Sequence, residues 1–162
     1  MCQNCGCLAN TVIHELTAEH DAVVELIRSI GEHQIAGRTA EMARTCRQIS
    51  ALLGPHTIVE EAGLFAELFD EFPGHLELLI DEHRRVERVL GEAADEVPLD
   101  PSWPDRLRDA LGLLREHILK EQDGVFPASV IALDGDQWER VQISRERSRL
   151  SLPPGVAAAR AS

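Results

Sequence analysis

Two copies of one pattern constrain this chain more than anything else in it. Residues His56 to Phe65 read HTIVEEAGLF, and residues His117 to Phe126 read HILKEQDGVF. They agree at His56/His117, Glu60/Glu121, Gly63/Gly124 and Phe65/Phe126, and Leu53/Leu114 extend the match upstream. Each copy sets a His and a Glu four residues apart. At about 100° per residue, such a pair lies on one helix face, a turn apart. An earlier echo accompanies each copy: Leu16 to Ile27 (LTAEHDAVVELI) and Leu79 to Leu90 (LIDEHRRVERVL) agree at Leu16/Leu79, Glu19/Glu82, His20/His83, Val23/Val86 and Ile27/Leu90. The chain therefore reads as a duplicated helix pair. Four amphipathic helices joined by short links bury their apolar stripes against one another, so the expected fold is all-α, an up-down-up-down four-helix bundle with a short C-terminal helix.

Each half supplies one lone His and one His-Glu pair, and two equal half-sites imply a pair of metals about a pseudo-two-fold axis. The candidate ligands are His20, His56, Glu60, His83, His117 and Glu121, all on inward stripes. A buried carboxylate is costly unless something compensates its charge, and metal coordination does so. The bland alternative makes the four His core spacers and leaves both Glu in solvent, but it must then explain the arrangement arising twice. Imidazole and carboxylate without thiolate suit iron or manganese, and zinc also binds such sets. If both carboxylates bridge, each metal receives two His nitrogens and two Glu oxygens. An oxo or hydroxo bridge adds a further ligand, leaving six-coordinate iron one open position per metal.

The neighbouring polar residues read as bystanders. His14 lies about 240° round the helix from His20, and His33 has no counterpart in the repeat. His75 stands two turns, about 12 Å, before His83. Glu19 and Glu82 precede the stripe His and read as surface charge. Glu61 points about 100° away from Glu60 and reads as solvated or as a support behind a ligand. Gly63 leaves room for a small ligand or for a neighbouring helix.

Along the chain, residues 1–10 form a Cys-rich extension, 11–133 the bundle, 134–150 the C-terminal helix and 151–162 a loose tail. Cys2, Cys5 and Cys7 are candidates for a second metal or a redox group, though one thiolate short of a closed four-Cys site; the plain alternative is a frayed tail with exposed thiols. Cys46 reads as a small buried hydrophobe. The first helix is expected to start near Asn10 or Thr11. Gly54-Pro55 should kink or restart the second helix, Phe72-Pro73-Gly74 should turn into the third, Ser102 should cap the fourth, and Phe126-Pro127 should end or bend it. Trp138, Val141 and Ile143 are expected to dock the last helix. A net charge of −12 argues against nucleic-acid and anionic-membrane partners. No apolar run approaches the roughly 20 residues of a membrane span and no signal peptide is visible, so a cytoplasmic location is expected.

With these residues in view, the chain resembles the hemerythrin-like, or HHE cation-binding, family in its single-domain bacterial form. That form shows the order His, His-x3-Glu, His, His-x3-Glu, and the likeness covers roughly residues 12–133 with all six positions. It implies a non-haem diiron centre in a four-helix bundle, with His20, His56, His83 and His117 as terminal ligands and Glu60 and Glu121 as bridges. Oxygen-carrying relatives place a second His four residues before the third-helix His, where this chain has Leu79. They also end on an Asp five residues after the last His, where it has Gln122. One ligand fewer favours redox turnover over reversible oxygen carriage. The expected function is reaction with hydrogen peroxide, dioxygen or nitric oxide, most simply peroxide disproportionation. The alternatives are a non-enzymatic module that binds or senses oxygen, nitric oxide or iron, and a thiol function at Cys2, Cys5 and Cys7 with the bundle as electron source. Ferritin-like oxidases use Glu-x-x-His motifs with more carboxylates, and this chain has the reverse order and fewer acids.

Overall fold

The computed structural model describes residues 3–150, and no strand occurs among them. Helix α1 is Gln3–Ile35. Helix α2 is Thr39–Val59. It runs on through a wide π-helical turn, Glu60–Phe65, into Ala66–Leu68. Helix α3 is Pro73–Gly91. Helix α4 is Trp103–Lys120, continued through a second π-helical turn, Glu121–Val125, into Phe126–Ala132. Helix α5 is Gly135–Leu150. α1 packs on α2, α2 on α3, α3 on α4 and α4 on α1, while α5 lies against α1, α2 and the first π turn. No helix among the described residues is long and apolar enough to cross a membrane.

The inward stripes are those the spacing predicts. Leu16, His20, Val23, Ile27 and Ile30 of α1 are all buried, and so are Leu76, Leu79, His83, Val86 and Leu90 of α3. The start of α1 differs: the helix begins at Gln3, not near Asn10 or Thr11. The reason is that the stripe extends upstream. Ala9 and Val12 are buried and continue the three-and-four spacing that a core-facing helix needs. Cys5 and Cys7 thus fall on α1, but Cys2 and all three thiol side chains lie outside what is described, as does the expected tail at 151–162.

α1 ends in a Schellman motif. Gly37 takes φ 68°, Arg38 N–H donates to the His33 carbonyl at 2.9 Å, and Gly37 N–H donates to that of Gln34 at 3.0 Å; glycine is the residue that adopts this left-handed conformation without strain. Pro55 does not restart α2, which runs through it. The carbonyl it leaves without a partner is that of Ala51, an exposed residue, where water can hydrogen-bond it. Ser102 is the N-cap of α4 but makes no side-chain cap bond; its hydroxyl donates to Asp100 Oδ1 instead.

Pro127 does not end α4 either. It opens the last segment just after the π turn, where the usual α ladder is already interrupted. Proline is not the cause of that turn, because the first copy has Ala66 at the matching place and makes the same one. On α5 the docking face is Trp138, Val141, Arg145 and Ser148. Ile143, expected there, is 45% exposed, and an Arg and a Ser take stripe positions that a purely apolar reading passes over.

The apolar interior is divided in two. One cluster joins Val23, Ile27, Met42, Ile49, Leu90, Trp103 and Leu111, and the other joins Val12, Leu16, Phe65, Leu79, Phe126 and Trp138. Between them in sequence, on all four of α1 to α4, stands a buried polar position. The bundle therefore carries one polar layer plugged by hydrophobic packing on both sides.

Candidate metal centre

That layer brings together all six residues singled out in the sequence. His20, His56, Glu60, His83, His117 and Glu121 are each 6% exposed or less, and both Glu are 0% exposed. They form two sets able to hold a cation: His20, His56, Glu60 and Glu121, and Glu60, His83, His117 and Glu121. In each set the ligating atoms lie within 4.8 Å of one another, and the two carboxylates belong to both sets. His56 Nε2 is 2.9 Å from Glu60 Oε1, and His117 Nε2 is 3.0 Å from Glu121 Oε1. His20 Nε2 lies 3.2 Å from Glu121 Oε2, and His83 Nε2 lies 3.4 Å from Glu60 Oε2. Each copy's carboxylate thus meets its own imidazole and one from the other half.

These close approaches are not aligned hydrogen bonds. Both oxygens of Glu60 and of Glu121, together with His56 Nε2 and His117 Nε2, are buried without a hydrogen-bond partner. Four carboxylate oxygens and two ring nitrogens left unsatisfied in one layer would be expensive. Cations placed among them would satisfy all six, so this donor set fits a metal pair.

The opposite edges of the rings are held from behind. His56 Nδ1 is 2.8 Å from Glu19 Oε2, His117 Nδ1 is 2.9 Å from Glu82 Oε2, and His83 Nδ1 is 2.8 Å from Glu61 Oε1. A carboxylate only accepts, so each Nδ1 carries a proton, and a neutral ring would face the layer with the lone pair of Nε2, the usual arrangement behind a metal-bound His. Two aromatic rings stack on the remaining faces: Phe126 on His20, with centroids 5.5 Å apart, and Phe65 on His83 at 6.1 Å. Both Phe are the matched ends of the repeated motif. The pseudo-symmetry fails behind His20. Gln122 occupies the position of Glu61 in the second copy, and His20 Nδ1 has no hydrogen-bond partner.

Glu19 and Glu82 correct the surface reading: they are 7% and 3% exposed and fix two of the rings. The signal was present, since the two acids match in the repeat, and a solvent-facing acid has no reason to recur. Glu61 has the supporting role that was one of its two readings. His14 and His75 are exposed, and His33 is half-buried near the end of α1. Gly63 makes room for a helix: a Cβ there would sit 3.1 Å from Ser144 Cβ of α5. Its counterpart Gly124 meets nothing within 4 Å and lines an apolar cavity of about 200 Å³ with Leu68, Phe72, Leu76 and Val125.

The hemerythrin HHE cation-binding domain matches residues 11–129 of the chain. The chain belongs to the hemerythrin HHE cation-binding family. No curated protein and no solved structure gives a significant match. The matched stretch ends before α5, and it contains every residue of both cation-binding sets.

The protonation of the layer follows from its charges. Burial disfavours a charged His56, but the charge of Glu60 and the hydrogen bond with Glu19 overcome this and push its pKa up to about 10. His83 is likewise pushed up to about 10 against burial, through Glu60 and Glu61. Burial opposes ionisation of Glu60, yet His56 and His83 hold it well below the usual carboxylate range. Without a cation, the layer at neutral pH therefore keeps protons on His56 and His83, and a metal must displace them. Loading should release both protons at neutral pH, and affinity should climb as pH rises towards about 10. Titration calorimetry in two buffers of different ionisation enthalpy measures the release; binding heats independent of the buffer would contradict it.

Proposed function

We propose that this protein holds two iron ions in an up-down-up-down four-helix bundle and turns over small oxidants, most simply hydrogen peroxide to water and dioxygen. The observation that carries the reading is the pair of two-His, two-Glu sets that share both carboxylates. Glu60 and Glu121 would serve both ions, with His20 and His56 holding one and His83 and His117 the other. The reciprocal packing of α1 to α4 supports the four-helix arrangement.

Iron is favoured over manganese or zinc as the pair bound. The donors are nitrogen and oxygen without thiolate, and zinc has no redox chemistry. Bound iron would supply the redox chemistry, giving electrons to or taking them from a peroxide, dioxygen or nitric oxide molecule. The chain's residues do the rest. The carboxylates offset cationic charge in a layer that the two apolar clusters keep dry. Glu19, Glu82 and Glu61 hold the Nδ1 protons of three imidazoles, so that their Nε2 atoms stay aimed inward. The sequence has no Tyr, so no phenol is available to relay an electron. The acidic net charge of −12 disfavours nucleic acid and anionic membranes as partners.

Oxygen evolution after adding peroxide to the iron-loaded protein tests the proposal. Sustained evolution, many oxygen molecules per chain, is expected. A single stoichiometric reaction with a stable, oxygen-reversible visible spectrum would instead identify a binding or sensing module.

A further inference from the structure

We propose that Arg145 of α5 is a positioning residue for the His20/His56 half of the centre, acting on His56 through Glu19; this rests on the two-cation reading above. The Arg145 side chain is buried, 2% exposed. Its guanidinium grips Glu19 with both ends, Nη2 to Oε1 at 2.6 Å and Nη1 to Oε2 at 3.1 Å. Its Nε donates to Glu15 Oε2 at 2.8 Å. Glu19 Oε2 at the same time accepts the proton of His56 Nδ1 at 2.8 Å. A cation, a carboxylate and an imidazole thus stand in a row that ends at the polar layer.

The second half contains the same row from a different source. Glu82 Oε2 accepts from His117 Nδ1, and Lys120 Nζ donates to Glu82 Oε1. Lys120 sits one residue before Glu121, on the helix that carries both ligands. The matching residue in the first half is Val59, a fully buried apolar residue. At that position the first half has no cation, and α5 provides one. The helix is seated for this: Val141 Cα and Ser144 Cβ lie 3.5 and 3.1 Å from where a Cβ on Gly63 would be. The bare backbone of Gly63 thus lets α5 sit close against the first π turn, with Arg145 in reach of Glu19. Because the family match stops at residue 129, this support comes from outside the matched domain.

The bidentate fork does what an unpaired carboxylate cannot. It fixes the plane of the Glu19 carboxylate, and with it the ring orientation of His56. It also compensates a charge that burial opposes: although burial raises the Glu19 pKa, hydrogen bonds with His56 and Arg145 bring it down to about 2.

Titration of the metal-free full chain with cobalt(II), followed by its visible absorption, provides the test. The wild type should take up two ions. Arg145→Met, which keeps the bulk and removes the fork, should weaken one binding step by about 10- to 100-fold, as loss of outer support to a metal-bound His does, and leave the other within about twofold. It should also shift the absorption of the weakened site. Lys120→Met should weaken the other step, and the double variant should weaken both. Arg145→Lys should show a smaller loss at the same step as Arg145→Met, and it serves the comparison if the Met variant does not fold. Val141→Ala, which loosens α5 without touching Glu19, should lower Tm but move neither step. Two ions bound with both steps unchanged in Arg145→Met and Arg145→Lys would overturn this role. So would a Val141→Ala variant that loses the same step, which would make packing the cause. Fewer than two ions in the wild type would instead overturn the two-cation reading itself.

Discussion

Glu60→Ala should abolish tight binding at both cation positions at once, lowering affinity at each by about a hundredfold or more. Losing only the outer support of a metal-bound residue already costs about 10- to 100-fold, and Glu60 offers an oxygen to each set. Its Oε1 lies beside His56 and its Oε2 beside His83. His20→Ala makes the contrast, since His20 belongs to one set only; it should weaken one step and spare most of the other. The fold should survive Glu60→Ala in the metal-free state, because the change leaves both apolar clusters on either side of the layer intact. Metal titration of both variants, with circular dichroism as the fold control, measures the difference. Equal, single-step losses in the two variants would show that the carboxylate is not shared.

Stripping the metal should lower Tm by roughly 10–20 °C. A ligand at a hundred times its Kd stabilises the native state by about 2.7 kcal/mol per site. Two sites then contribute about 5 kcal/mol, and a domain of this size shifts by roughly 2–4 °C per kcal/mol. The physical source is the layer itself, where carboxylate oxygens and ring nitrogens have no hydrogen-bond partner. Calorimetric melts of the loaded and chelated protein, and of loaded Glu60→Ala, check this. Loaded Glu60→Ala should melt without the metal-dependent gain. Identical melts for loaded and stripped wild type would mean that the layer needs no cation.

The six central residues were legible because two signals coincide on them: helical spacing places them inward, and duplication excludes chance. The residues behind them were harder to read, for a definite reason. Amphipathic reasoning assigns an acid beside a stripe to solvent, so Glu19 and Glu82 read as surface although each ends against an imidazole. Arg145 was further out of reach. Its partner Glu19 is 126 residues away, and nothing local on α5 distinguishes a buried Arg from an exposed one. The beginning of α1 was missed because Ala9 and Val12 extend a stripe that the larger side chains mark only from Leu16 onward. The π turns have no local marker beyond the Glu and Gly shared by both copies. Each opens on the Glu of a His-Glu pair, in a helix form often found at functional sites.

The most direct measurement is a count of metal per chain in protein purified without added metal, made by elemental analysis against an accurate protein concentration. The account predicts close to two irons per chain in the wild type and close to none in Glu60→Ala. One iron or none in the wild type, or the same content in both proteins, would contradict it.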